Sequence, residues 1–237
     1  MNLLLLFEND FISENIARIS GRRLDHIQSV HKAKAGDHLQ VGVVNSCVSR
    51  ATITQIETAF VELLLEPTQA TSPPPPLPLT LIIALPRPKM IKRILQICAT
   101  MGVKDIIFLN SFRVEKSYWQ SPLLSKEKIT EQLVLGLEQG KDTVLPRVTL
   151  EKRFKPFVED HLPSYCSDSL ALVAHPYSDN TCPQKVEQQT TLVIGPEGGF
   201  IPYEIEKLEA AGCQGVTLGQ RILRVETAIP VLLGKLF

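Results

Sequence analysis

At 237 residues, with 44% hydrophobic and 21% charged side chains, the chain can fill the core of one large or two modest domains and is too apolar for disorder. Its 25 basic and 25 acidic side chains give a formal net charge of zero, so strong fields can arise only where charge is segregated. Five cysteines at wide, irregular spacing, without a CxxC pair or helix-spaced histidines, argue against a disulfide framework and a zinc site, and no metal is expected.

The chain opens on an apolar run from Leu3 to Phe7 with no basic residue ahead of it. The run is too short for a signal-peptide core or a membrane span, which predicts an opening β-strand and a cytoplasmic protein. A helix is expected over roughly Gly21 to Ala33. Residues 39–44, 51–56 and 60–65 read as strands, separated by the turn signals "AGD" and "NS". Several short strands within residues 1–70 predict a small β-barrel. Next comes "ATSPPPPLPL", residues 70–79. Consecutive prolines cannot continue a helix or a central strand, so residues 71–78 read as a semi-rigid linker. The alternative is a surface loop inside one domain, but the texture changes across the prolines.

From residue 79 to 237 strands and helices alternate. "LTLIIAL" (79–85) leads to a helical pattern from Lys89 to Met101, stopped by Gly102. "DIIFL" (105–109) precedes a long helical stretch from about Ser125 to Gln139. "LALVA" (170–174) and "TLVIG" (191–195) are apolar runs of the buried parallel-strand type. Pro202 suits a first helical position, Ile205 and Leu208 keep helical spacing, and Gly212 closes that helix. Ile201 stands at its cap, where Ser or Thr would stabilise the helix by about 1 kcal/mol. "GVTLG" (215–219) is a further strand, and a last helix follows Glu226. Such alternation predicts an α/β domain with a parallel sheet, which binds ligands beyond the carboxyl ends of its strands. Gly195 and Gly219 both lie at such ends.

Three constellations could carry chemistry. "GPEGG" (195–199) has neither the Gly-Lys-Ser/Thr ending of a P-loop nor a GxGxxG pattern. By pattern it fits a tight corner as well as a ligand-binding loop. "LGQRILRVETA" (218–228) crowds Arg221, Arg224 and Glu226 into a strand-to-helix junction that needs none of that charge. A solvated, salt-bridged turn, worth under about 1 kcal/mol, is the bland alternative. The third is basic. Arg87, Lys89, Lys92, Arg93 and Lys104 follow one another without an acidic residue. Arg18, Arg22, Arg23, Lys32 and Lys34 stand against Asp25 alone. Two basic patches suit a long polyanion such as RNA or DNA, with Arg22, Arg23, Lys32, Lys34, Arg87, Lys89 and Arg93 as candidate contacts.

"IGPEGGF" followed by "LGQRILRVETA" closely resembles the RsmE family of ribosomal RNA uridine N3-methyltransferases, within the SPOUT superfamily. "PRPKMIKRILQICATMGVKDIIFLNSFRVEK", "LGLEQGKDTVLPRV" and "RRLDHIQSVHKAKAGDHLQV" extend the resemblance over most of the chain. It implies an N-terminal PUA-like RNA-binding barrel and a C-terminal SPOUT domain whose chain forms a trefoil knot. It also implies a homodimer that binds S-adenosylmethionine and acts on 16S rRNA or the small ribosomal subunit.

In this reading Gly195, Gly198 and Gly199, with Ile194, Pro196 and Glu197, bring bare backbone to the cofactor. Leu218, Gly219, Ile222 and Leu223, with Thr227 and Ala228, form an apolar cradle. Val173, Ala174 and His175 end a third strand that flanks the same pocket. The implied reaction methylates N3 of a uridine, a nitrogen that must first lose its proton. The charge then spreads onto the flanking carbonyl oxygens, where a guanidinium can stabilise it. Arg224 is the first choice for that role and Arg221 the second. Glu197 or Glu226 could accept the proton or orient an arginine. A SPOUT ribose 2′-O-methyltransferase and a non-catalytic RNA-binding assembly protein are the competing functions.

Overall fold

The computed structural model describes residues 2–237, with the backbone alone at residues 30, 31 and 67–69. The chain divides into two units, Met1–Pro75 with Val134–Leu145, and Pro76–Leu133 with Pro146–Phe237.

The first unit holds β1 (Leu4–Leu6), β2 (Phe11–Ser13), β3 (Ile16–Ile19), α1 (Arg22–His26), β4 (His38–Val43), β5 (Val48–Ile56) and β6 (Val61–Thr71). The strands form one mixed, barrel-like sheet in the order β1-β4-β5-β6-β3-β2. Only β1 and β4 pair parallel. Alternation explains which face is buried: Val61 and Leu63 point inward around Glu62, and Ala51 and Ile53 around Thr52. Leu24 and Ile27 close the same core. The expected helix over 21–33 is α1 followed by a wider helical turn, Ile27–His31. β2 and β3 are too short to announce themselves in the sequence, and β6 runs six residues past the expected end at residue 65.

One ion pair fastens this unit. Asp10 is 8% exposed, and its carboxylate accepts two bonds from the Arg23 guanidinium, both at 2.6 Å, and one from the Phe7 amide at 2.7 Å. Arg23 also donates to the Leu5 carbonyl at 2.9 Å, so α1 is tied at once to β1 and to the turn behind it. Residues 134–145 are held by backbone: the Leu3 amide donates to the Glu138 carbonyl and the Asn45 amide to the Thr143 carbonyl. The Glu138 side chain is buried and accepts from Arg22 at 3.0 Å. Burial raises its pKa, and the Arg22 charge opposes that shift.

The second unit holds β7 (Leu79–Ala84), α2 (Pro88–Thr100), β8 (Asp105–Leu109), the first half of α3 (Lys126–Gly140), β9 (Arg147–Glu151), α4 (Phe154–Pro156), α5 (Leu162–Cys166), β10 (Leu170–Ala174), β11 (Thr190–Ile194), α6 (Pro202–Ala210), β12 (Gln214–Val216) and α7 (Val225–Leu236). A helical turn, Phe157–His161, joins α4 to α5. The sheet order is β12-β10-β11-β7-β8-β9, parallel throughout, as the alternating pattern predicts. Every residue of β7 and β11 is buried, which is why these strands read as unbroken apolar runs. On α2, Ile91, Ile94, Leu95, Cys98 and Ala99 form the buried stripe, and Lys89, Lys92 and Arg93 are exposed.

Two differences from the sequence reading have local causes. β9 lies at the sheet edge with Arg147 exposed and the rest half-buried, so it lacks an apolar signature. β12 stops at Val216 rather than running to Gly219: Thr217 makes an isolated bridge to Thr181, and Gly219 turns the chain at φ +118°. Among the described residues no helix is long and apolar enough to cross a membrane.

Asp10→Ala leaves a half-buried guanidinium and the Phe7 amide without their acceptor. Chemical denaturation followed by circular dichroism is expected to show a loss of about 3 kcal/mol or more. A loss below about 1 kcal/mol would mean that the pair does not hold this unit together.

Candidate active site

Beyond the carboxyl ends of β10, β11 and β12 lies a cleft of about 120 Å³ that opens to solvent. Its first wall is the loop after β11. The Gly199 amide closes a turn onto the Pro196 carbonyl at 2.8 Å, with Gly199 at φ +73°. At Gly195 a Cβ would come within 3.1 Å of the Phe200 ring, so a side chain there would crowd that ring. The second wall is Val216 to Leu223. It is anchored by the Thr217 amide, which donates to the Asn180 carbonyl, and by the Thr217 carbonyl, which accepts from Cys182. The third is Ala174 to Pro176, where the His175 amide donates to the Val216 carbonyl at 2.8 Å. Val225, Ala228 and Leu232 of α7 complete the lining.

Most of the residues picked out in the sequence meet here. Ala174, His175, Ile194, Gly195, Pro196, Glu197, Gly199, Leu218, Gly219, Arg221, Ile222, Leu223 and Ala228 all line the cleft. Four do not. Val173 is buried within β10, Thr227 and Arg224 are exposed at the start of α7, and Glu226 is half-buried in its first turn. Gly198 faces the other way: a Cβ there would meet Arg113 Cδ at 2.9 Å, and the Arg113 guanidinium donates to the Gly198 carbonyl. Phe200 and Val225, inside the two motifs, and Pro176, Val216, Thr217 and Leu232 also line the cleft. Ile222 is 68% exposed at the rim, an apolar surface that a ligand can cover.

Three carboxylate or guanidinium groups hold the first wall in place. The Glu197 carboxylate accepts from the Arg87 amide at 3.1 Å and lies 3.9 Å from its guanidinium, which joins "GPEGG" to the turn between β7 and α2. Arg113 reaches Gly198 from the loop after β8. The third is Glu204, 2% exposed, which the sequence reading did not single out. Its two oxygens accept from the Ile201 amide at 3.0 Å and the Phe112 amide at 2.7 Å. The helix cap that Ile201 cannot supply is thus provided from the third helical position. The usable signal was a Glu three residues after the cap.

The basic residues fare unevenly. Lys32, Lys34, Lys89 and Arg93 are exposed, and Arg22 and Arg87 keep about half their side chains in solvent while paired. Arg23 is committed to Asp10, with 17% of its side chain exposed.

The cleft at the carboxyl edge of the parallel sheet is walled by glycine loops and lined by Arg221. The family model described as "RNA methyltransferase domain" matches residues 73–236. The chain belongs to this family and, within it, to the small-subunit ribosomal RNA methyltransferases of type E. The relative so named from Treponema pallidum is 30% identical over 96% of this chain and 87% of its own. The one from Synechocystis is 30% identical over 95% of this chain and 74% of its own. The crystal structure of a ribosomal RNA small subunit methyltransferase E from Neisseria gonorrhoeae, bound to S-adenosyl methionine, shares the fold. Its TM-score is 0.73 at 20% identity, covering 98% of this chain and 95% of that one.

Glu204→Ala orphans two backbone amides and should lower stability by roughly 2 kcal/mol in thermal or urea unfolding. Glu204→Gln, which keeps one acceptor oxygen, should recover part of that loss. Equal stability of all three proteins would remove Glu204 from its bracing role.

Proposed function

We propose that this chain methylates N3 of a uridine in 16S rRNA of the small ribosomal subunit, with S-adenosylmethionine as donor. The observation that carries the reading is the cleft itself, formed by the "GPEGG" and "LGQRILRVETA" loops at the ends of β11 and β12, on either side of β10. Its residues suit the donor. Gly195 and Gly199 leave backbone bare, Leu218, Ile222 and Leu223 offer apolar surface to a ring, and the amides and carbonyls of the walls can read a purine edge. When bound, the donor supplies an electrophilic methyl group on a sulfonium.

The chain's own residues do the rest. A uridine N3 becomes nucleophilic on losing its proton, and the charge passes to the carbonyl oxygens on either side. Arg224 is our choice for stabilising that charge from the rim. Arg221, which lines the cleft, is the second. Glu226, half-buried in the first turn of α7, is proposed to take the proton or orient an arginine. Glu197 is better suited to positioning, because Arg87 already occupies one of its oxygens. Holding nucleophile and methyl carbon in line can contribute up to roughly 7–11 kcal/mol. The exposed Lys32, Lys34, Lys89 and Arg93, with the partly exposed Arg22 and Arg87, are proposed to hold the RNA backbone. A knotted chain, a homodimer and a cytoplasmic setting belong to the same reading.

Saturating S-adenosylmethionine should raise the melting temperature of the purified protein, and the absence of any shift would count heavily against the reading. Arg224→Ala should lower kcat by about 100-fold or more with the fold intact. If Arg221→Ala shows that loss and Arg224→Ala does not, the roles are exchanged. Nucleoside analysis of rRNA from cells lacking the protein should show a missing N3-methyluridine; a missing 2′-O-methyl nucleoside would overturn the assignment to the base.

A further inference from the structure

The loop after β11 has a second face. On one side Gly195, Gly199 and Phe200 wall the cleft. On the other, Ile201, Tyr203 and Glu204 wall a separate groove over the carboxyl ends of β8 and β9. The rings of Phe200 and Phe154, one in each wall, lie 6.3 Å apart.

The groove is aromatic and basic. Phe112 is 77% exposed and Tyr203 44%, large rings held toward solvent on short tethers. Trp119, which also lines the groove, is fixed by the bond its Nε1 donates to Asn110 Oδ1 at 2.8 Å. Lys116 and Lys152 are exposed at its edge, and Lys155 approaches Glu159 only to 3.9 Å. Glu204 adds no free negative charge, because both its oxygens are taken by backbone amides. The last observation is Ser111. It is 3% exposed, lines the groove, and among the described residues its Oγ has no hydrogen-bond partner. A buried hydroxyl of that kind asks for a ligand group.

We propose that this groove binds single-stranded RNA next to the methylated nucleotide, with Phe112 and Tyr203 stacking on flanking bases and Lys116 and Lys152 meeting phosphates. The inference rests on the reading of the cleft as the seat of RNA methylation. Exposed rings with lysines around them suit a strand whose bases are unpaired, since a duplex hides the faces that stack. The shared loop sets the groove beside the cleft. None of these residues belongs to the two basic patches.

The test is fluorescence anisotropy of a labelled single-stranded oligouridylate with the full chain. Phe112→Ala and Tyr203→Ala should each weaken binding about tenfold, with melting temperature and S-adenosylmethionine affinity unchanged. Lys152→Ala should reduce the dependence of log Kd on log salt by about 1. Duplex RNA should compete poorly. Unchanged oligouridylate affinity in both aromatic variants overturns the proposal and leaves the groove to a protein partner. A methylation assay on small subunits from cells lacking the protein keeps the two readings apart. Wild-type activity with no rise in KM for Phe112→Ala sinks the groove alone. A wild-type protein that methylates nothing sinks the functional reading, and the binding measurement still decides the groove.

Discussion

The cleft depends on a buried carboxylate that lies outside its lining. A parallel sheet delivers its loops to one edge, but a loop built of glycines to leave backbone bare has little of its own to hold it there. Glu204 resolves that conflict: from the first turn of α6 it takes the amide of Ile201 at the end of "GPEGGFI" and the amide of Phe112 in the loop after β8. Both amides would otherwise lack an acceptor, and the carboxylate would be a buried charge without partners. Each solves the other's problem, and the wall of the cleft is fixed as a result.

Strand order does the remaining work of assembly. β10 lies between β12 and β11, so the three loops that follow them adjoin although they are far apart in the chain. The Glu197 contact to Arg87 and the Arg113 contact to Gly198 extend this bracing to the loops after β7 and β8. The glycines divide by geometry. Gly199 and Gly219 have positive φ, Gly195 would crowd Phe200 with any side chain, and Gly198 makes room for Arg113. A motif that reads as one feature therefore serves two faces.

Charge segregation makes sense of the neutral net charge. In the first unit, however, charge also builds structure: Arg23 and Asp10 fasten α1, Arg22 reaches the buried Glu138, and Arg18 bonds to Glu62. A basic residue in a patch is a candidate for RNA only while much of its side chain stays in solvent, as at Arg22 and Arg87 but not at Arg23. The sequence cannot show these pairings, because the partners of Arg22 and Arg23 lie 116 and 13 residues away.

The sequence by itself determined the alternation of strands and helices after the prolines, the carboxyl-end position of Gly195 and Gly219, and the two motifs that line the cleft. These were legible because apolar runs, helical spacing and glycine follow from local chemistry. It missed β2, β3 and β9, which are short or half-exposed and carry no apolar signature. Val134–Leu145 groups with the first unit, and neither Gly198 nor Arg224 is among the residues that line the cleft. Tertiary structure alone decided which carboxylates brace. Glu197 and Glu204 are equally plain in the sequence. Only the packing of loops from distant strands places backbone amides beside both of them.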